Sequence, residues 1–209
     1  MPNSSTGPLR LAGIGLCVVG AAFVAWAGLH YAVGALRADQ ARREWEEQQA
    51  AAVVAAARSR SRGGIETSTK VAIGAPVARL LIPRIHLDEI VLEGVDDDEL
   101  NAGPGHLPGS AMPGMIGNAV ISAHRDRHFR HLDELQLGDT VVTEAALSRK
   151  AWIIVGRRVV DRDKPALFQT AEPTLPLTTC WPVRYFGSAP DRLILTARPL
   201  SSSSTRSQT

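Results

Sequence analysis

The pattern of apolar and polar positions divides the chain into five stretches. Residues 11–29 (LAGIGLCVVGAAFVAWAGL) are 19 consecutive residues without a charge. About 20 apolar residues carry a helix across the hydrocarbon core, so one transmembrane anchor is expected over residues 11–36. Trp26 and Tyr31 suit its interfacial end. A cleaved signal peptide would present a shorter apolar region of about 7–15 residues, so the anchor is expected to stay uncleaved. From Arg37 to about Arg62 the sequence turns to Ala, Gln, Glu and Arg, which are good helix formers. Gly63-Gly64 breaks that pattern and Gly74-Ala75-Pro76 closes a polar linker, so residues 37–75 read as a helical stalk and linker. Residues 1–10 precede the span, and residues 201–209 (SSSSTRSQT) read as a disordered, low-complexity tail.

Residues 76–200 have a different rhythm. Residues 77–95 hold two apolar runs, broken at Pro83 and at Asp88-Glu89; further runs follow at 118–123, 139–143, 152–160, 175–180 and 192–197. Each is short, rich in Val, Ile, Leu or Thr, and bounded by Gly, Pro or Asp. Only residues 130–137 (RHLDELQL) look helical, for two turns at most. Many short strands with turn signals between them predict an all-β domain, a sandwich or closed barrel, and not a βαβ layout.

Composition narrows the classes. With 44% hydrophobic residues and two Cys in 209 residues, the chain is neither a disordered protein nor a disulfide scaffold. Charge becomes informative when split: residues 76–200 carry 14 basic and 16 acidic groups, and the stretch before them 8 basic and 5 acidic. The basic excess lies outside the predicted domain, so no electrostatic footprint for nucleic acid is expected. Around the span, only Arg10 lies on the N-terminal side, whereas Arg37, Arg42 and Arg43 follow it. Taken literally, the positive-inside rule would place the C-terminal domain in the cytoplasm.

Three residues recommend themselves for chemistry. Cys17 lies inside the span and reads as a small packing residue, but Cys180 ends the strand-like run TLPLTTC just before Trp181-Pro182. A lone Cys is most often a buried hydrophobe, so its neighbours decide its reading. His124 likewise ends a β-branched run and enters the polar segment Arg125-Asp126, a setting that His30, His86, His106, His128 and His131 lack. Arg192 opens the last strand, so a Cys strand and an Arg strand would lie side by side if adjacent in the sheet. Its five donors can hold a developing oxyanion; a surface ion pair with Asp191 or Asp126 is the plainer alternative. His124, His128 and His131 suggest metal by spacing, yet complete no known zinc pattern, and no metal or cofactor is expected. Asp96-Asp97-Asp98-Glu99 lacks the alternation and Gly of an EF-hand loop and reads as a solvated turn.

These residues resemble the sortase family of membrane-anchored cysteine transpeptidases, and most its class D. The resemblance rests on Thr178-Thr179-Cys180, on residues 187–194 (GSAPDRLI) and on Ala123-His124-Arg125-Asp126. Upstream, Gly103-Pro104-Gly105-His106 and residues 113–118 (PGMIGN) fit the loop before the His strand; residues 131–135 and Leu137-Gly138-Asp139 fit the segment after it. Ala123 stands where many relatives carry Gly, and Trp181 where Tyr or His is common.

The resemblance implies a closed eight-stranded β-barrel over residues 76–200, Cys180 as nucleophile, His124 as general acid and base, and Arg192 as oxyanion stabiliser. Thr179, Trp181 and Ala123 are expected to contact substrate. The implied partners are secreted proteins carrying a C-terminal sorting signal, an amine acceptor (a cell-wall peptide or a protein lysine) and membrane lipid. The implied site of action is the outer face of the bacterial cytoplasmic membrane, with residues 1–10 as a cytoplasmic N-terminus, against the charge asymmetry around the span. Hydrolysis of the same signal, or peptide binding without catalysis, are the alternatives.

Overall fold

The computed structural model describes residues 7–59, 71–145, 148–162, 170–185 and 187–200. The expected tail at 201–209 and most of the linker lie outside them. Helix α1 (Gly7–Ser59) runs without interruption. The strands are β1 (Pro76–Ile82), β2 (Leu87–Glu93), β3 (Gly105–His106), β4 (Ile121–Ser122), β5 (Thr140–Ala145), β6 (Ser148–Asp161), β7 (Leu175–Trp181) and β8 (Asp191–Pro199). They close into a barrel in the order β1-β2-β3-β4-β7-β8-β6-β5. A short helix α2 (Asp97–Ala102) links β2 to β3.

The barrel interior follows from side-chain alternation. Ala119, Ile121 and Ala123 point inward with Leu175, Leu177, Leu193 and Leu195, around fully buried Trp152 and Phe129. The Trp152 indole N–H donates to the Thr143 hydroxyl at 2.8 Å, so its one polar atom is satisfied in the core. Pro83 breaks the first apolar stretch as expected, opening a 3-10 turn, Pro83–Ile85. Asp88-Glu89 does not break the second. Both lie within β2, where Asp88 points outward to a two-pronged ion pair with Arg79 of β1. The helical look of residues 130–137 resolves into one 3-10 turn, Leu132–Glu134. The acidic run expected as a solvated turn is instead the first turn of α2. Asp and Glu there face a helix N-terminus, where negative charge is favourable.

Strand β3 has two residues and gives almost no sequence signal. It forms because Gly105 lets the chain pass against β2: a Cβ there would sit 2.1 Å from the Gly94 carbonyl oxygen. The next residue, His106, is buried and bridges Glu93 Oε2 at 2.6 Å and the Ala111 carbonyl at 2.9 Å. The Gly-Pro-Gly-His stretch is thus a polar pin between β2 and the loop before β4.

Part of the stretch expected as a helical stalk is docked on the barrel. Ala41 and Trp45 of α1 are buried against Ile90 and Leu92 of β2 and Ala102 of α2. That packing explains why β2 carries apolar residues on both faces: its inner face meets the barrel core and its outer face meets α1. Before Tyr31 the helix is bare. Leu11, Leu16 and Phe23 are each about 70% exposed, which suits lipid and not water. Among the described residues one helix, α1, is long and apolar enough to cross a membrane.

Candidate active site

The outward face of the β4–β7–β8 sheet carries the three residues singled out above. In the antiparallel β7–β8 ladder, Cys180 and Arg192 are direct register partners, as are Thr178 and Ile194. Opposed residues in a sheet share a face with Cβ atoms about 4.5–5.5 Å apart, so the thiol and the guanidinium stem emerge side by side. On the other flank β4 runs parallel to β7 with Ser122 beside Thr178. The Ala123 N–H continues that ladder by donating to the Thr178 carbonyl at 3.1 Å. Two residues beyond Ser122 on the same face, His124 reaches the level of Cys180. Cys180 is exposed, and His124 and Arg192 are partly exposed. The structure therefore brings a thiol, an imidazole and a guanidinium onto adjoining strand ends.

Each is held from beneath. Ser122 and Thr178 share a hydroxyl–hydroxyl bond of 2.7 Å on the outward face. The Thr179 hydroxyl donates to the Ala123 carbonyl at 2.8 Å, tying the residue before Cys180 to the residue before His124. Thr179 and Ala123 are both about 5% exposed. Alternation turns both inward when Cys180 and His124 point out, and the Thr179 hydroxyl is bonded within that seam. Trp181 is partly buried, packs on the core and has the Arg157 guanidinium 5.4 Å from its ring centre. Of the three, it alone keeps exposed surface.

After His124 the chain turns back, with the Arg127 and Phe129 N–H groups donating to the His124 carbonyl and the Phe129 ring in the core. Arg125 flanks His124 in the sequence. Its guanidinium donates to the Pro182 carbonyl at 2.9 Å and the Gly187 carbonyl at 2.6 Å. One side chain next to His124 thus spans the connection between Cys180 and Arg192. Asp97 of α2 also approaches, its Oδ1 3.9 Å from His124 Nε2, beyond hydrogen-bond range. The three spaced histidines do not converge. His124 faces Asp97, His128 pairs with Glu89 at 3.3 Å and His131 with Glu134 at 2.9 Å.

A family model for the sortase domain matches residues 80–200. The chain is 36% identical over 132 residues to sortase D of Bacillus subtilis (strain 168), covering 62% of this chain and 67% of that one. Among solved structures, a Clostridium perfringens sortase D5 transpeptidase superposes with a TM-score of 0.60 at 24% identity, covering 81% of this chain and 99% of the other. The catalytic domain of B. anthracis SrtD superposes with a TM-score of 0.53 at 33% identity, over 65% of this chain and 94% of that domain.

Proposed function

The chain belongs to the sortase family of cysteine transpeptidases, and from that premise we propose that it cleaves a C-terminal sorting signal on secreted proteins and transfers the acyl group to an amine. The observation that carries this reading is the Cys180–Arg192 register pair with His124 brought alongside by the β4–β7 ladder.

In the proposed reaction the Cys180 thiol passes its proton to His124, and its sulfur attacks the scissile carbonyl of a peptide laid along the outward β4–β7 face. Negative charge moves to the carbonyl oxygen, where the Arg192 donors stabilise it more than they stabilise the uncharged ground state. As the C–N bond breaks, His124 gives a proton to the departing amine, leaving a thioester on Cys180. The acceptor amine loses a proton to His124 as its nitrogen attacks the thioester. The new amide forms and the Cys180 sulfur leaves. A thioester suits exchange because it keeps the acyl group activated until an amine arrives. Trp181 packs on the core by the same alternation, and its part-exposed edge is the surface it would offer a peptide.

The apolar stretch of α1 fits a single-pass membrane anchor. The proposed topology places the barrel on the extracytoplasmic side, where secreted substrates are found. The test is product analysis with the full chain in detergent, using sorting-signal peptides and a small primary amine. The reading predicts an amide product that replaces the free acid as amine is added. Free acid alone at every amine concentration would favour a hydrolase. No turnover of any such peptide by folded protein would favour a binding barrel.

A further inference from the structure

Helix α1 does not hold the barrel at a distance; its first turns beyond the apolar run are already in contact with it. The Arg127 guanidinium lies 4.2 Å from the centre of the Tyr31 ring and donates to the Asn101 carbonyl. One turn on, Gly34 is packed so closely that a Cβ would sit 2.7 Å from the Asn101 carbonyl oxygen and 2.8 Å from Arg127 Nη1. Any larger residue would push helix and barrel apart there. Further along, Arg37 pairs with Asp98 at 3.1 Å, Arg42 donates to the Asp88 carbonyl, and Trp45 is buried.

These contacts fix the barrel's height above a bilayer. The 19-residue run 11–29 fills the hydrocarbon core and leaves residues 30–36 of the expected anchor for the interface, where Trp26 stacks edge-on with His30, an aromatic and polar group typical of that layer. At about 1.5 Å per residue, Gly34 lies about 7.5 Å beyond Leu29. The headgroup layer of one leaflet is roughly 5–8 Å deep, half the difference between the whole bilayer and its hydrocarbon core. A mean helix tilt of about 20° lowers such heights by less than about a tenth. Tyr31 and Gly34 therefore lie at headgroup depth, and so does the loop they touch. Between α1 and that loop is a cleft of about 380 Å³ lined by Gly34, Ala38, His86, Arg127, Arg130 and His131, with Glu89 and Asp126 as its acidic members. Arg130 is exposed there and meets no carboxylate among the described residues.

We propose that the loop 124–131 is a membrane-contact surface, seated in the phospholipid headgroups of the bilayer that α1 crosses, with Arg130 facing lipid phosphate. This rests on the reading of α1 as a membrane anchor. The mixed charge of the cleft suits a headgroup layer carrying both signs. His124 opens this loop, so the active site lies at the bilayer surface, where a substrate still tethered to the membrane has little distance to cover.

The test uses the full chain in nanodiscs of phosphatidylcholine and phosphatidylglycerol, with Cys17 and Cys180 replaced by Ser. One environment-sensitive fluorophore is placed in turn at Leu16→Cys, Arg130→Cys and Ser148→Cys. Ser148 neighbours Gln49 of α1, about 30 Å beyond Leu29 by helix rise. A headgroup spin label should quench position 130 several-fold more than position 148, and an acyl-chain label should quench position 16. Gly34→Leu should abolish quenching at 130 while leaving 16 quenched. Quenching at 130 no greater than at 148, with 16 quenched, overturns the contact surface alone. Quenching at 130 that survives Gly34→Leu overturns the helix docking as its cause. No quenching at 16 overturns the anchor, and the contact surface with it.

Discussion

Cys180 and Arg192 are register partners across the β7–β8 ladder, so backbone hydrogen bonds and not loop flexibility set the spacing between thiol and guanidinium. Arg192→Ala should lower kcat/KM about 10²–10³-fold, the usual loss when an oxyanion donor is removed. Arg192→Lys keeps the charge but not the planar fork, and should recover only part of that loss. Steady-state kinetics with a sorting-signal peptide check both. An Arg192→Ala enzyme of normal rate would remove Arg192 from the reaction.

Arg125 ties the His124 turn to the Cys180–Arg192 connection through the carbonyls of Pro182 and Gly187. It is a positioning residue in this account. Arg125→Ala should lower kcat about 10–100-fold, the scale for a small misplacement of reacting groups, with a smaller change in KM. Alkylation of Cys180 by iodoacetamide should be less affected than turnover, because the thiol itself stays on β7. A fall in alkylation as large as the fall in kcat would mean that the loop supports the nucleophile directly.

Thr179→Val removes the donor to the Ala123 carbonyl in a buried seam. The unpaired carbonyl should cost about 1–3 kcal/mol in urea unfolding of the full chain. Turnover should fall as well, because Ala123 leads into His124. Thr179→Ser keeps the hydroxyl and should restore both.

The Arg79 guanidinium, hydrogen-bonded through two nitrogens to Asp88, holds that carboxyl below its usual range. A carboxyl depressed in the folded state stabilises the fold above the unfolded pKa of about 3.9 and loses that contribution as pH falls through the folded value. Asp88 is 44% exposed, so the pair is worth at most about 1 kcal/mol after solvent screening. Asp88→Asn should therefore be slightly less stable than wild type at pH 7, and the gap should close below about pH 4. Thermal unfolding at both pH values checks this; an equal gap at low pH would assign the effect to packing.

Most of the barrel is legible in the sequence because β5 to β8 are long runs of β-branched and aliphatic residues bounded by turn signals. The remainder is hidden for physical reasons. Two-residue β3 depends on a close approach at Gly105 that no apolar pattern records. The outward apolar residues of β2, Ile90 and Leu92, are explained only by the α1 face that covers them. At the site, Cys180, His124 and Arg192 each stand at a strand end and can be picked out from the pattern. Arg125 stands out only as a neighbour of His124; its partners do not, because they are main-chain carbonyls 57 and 62 positions away. The inward turn of Thr179 was available from strict alternation with Cys180, a period that sequence reasoning did not apply there.

The central claim is that Cys180 forms an acyl-enzyme with a sorting-signal peptide. Intact-mass spectrometry of the full chain, mixed with a library of such peptides, tests it most directly. The expected product is an adduct equal in mass to the N-terminal peptide fragment, mapped to Cys180, released by hydroxylamine and absent in Cys180→Ala. Peptide turnover without an adduct, undiminished in Cys180→Ala, would contradict it.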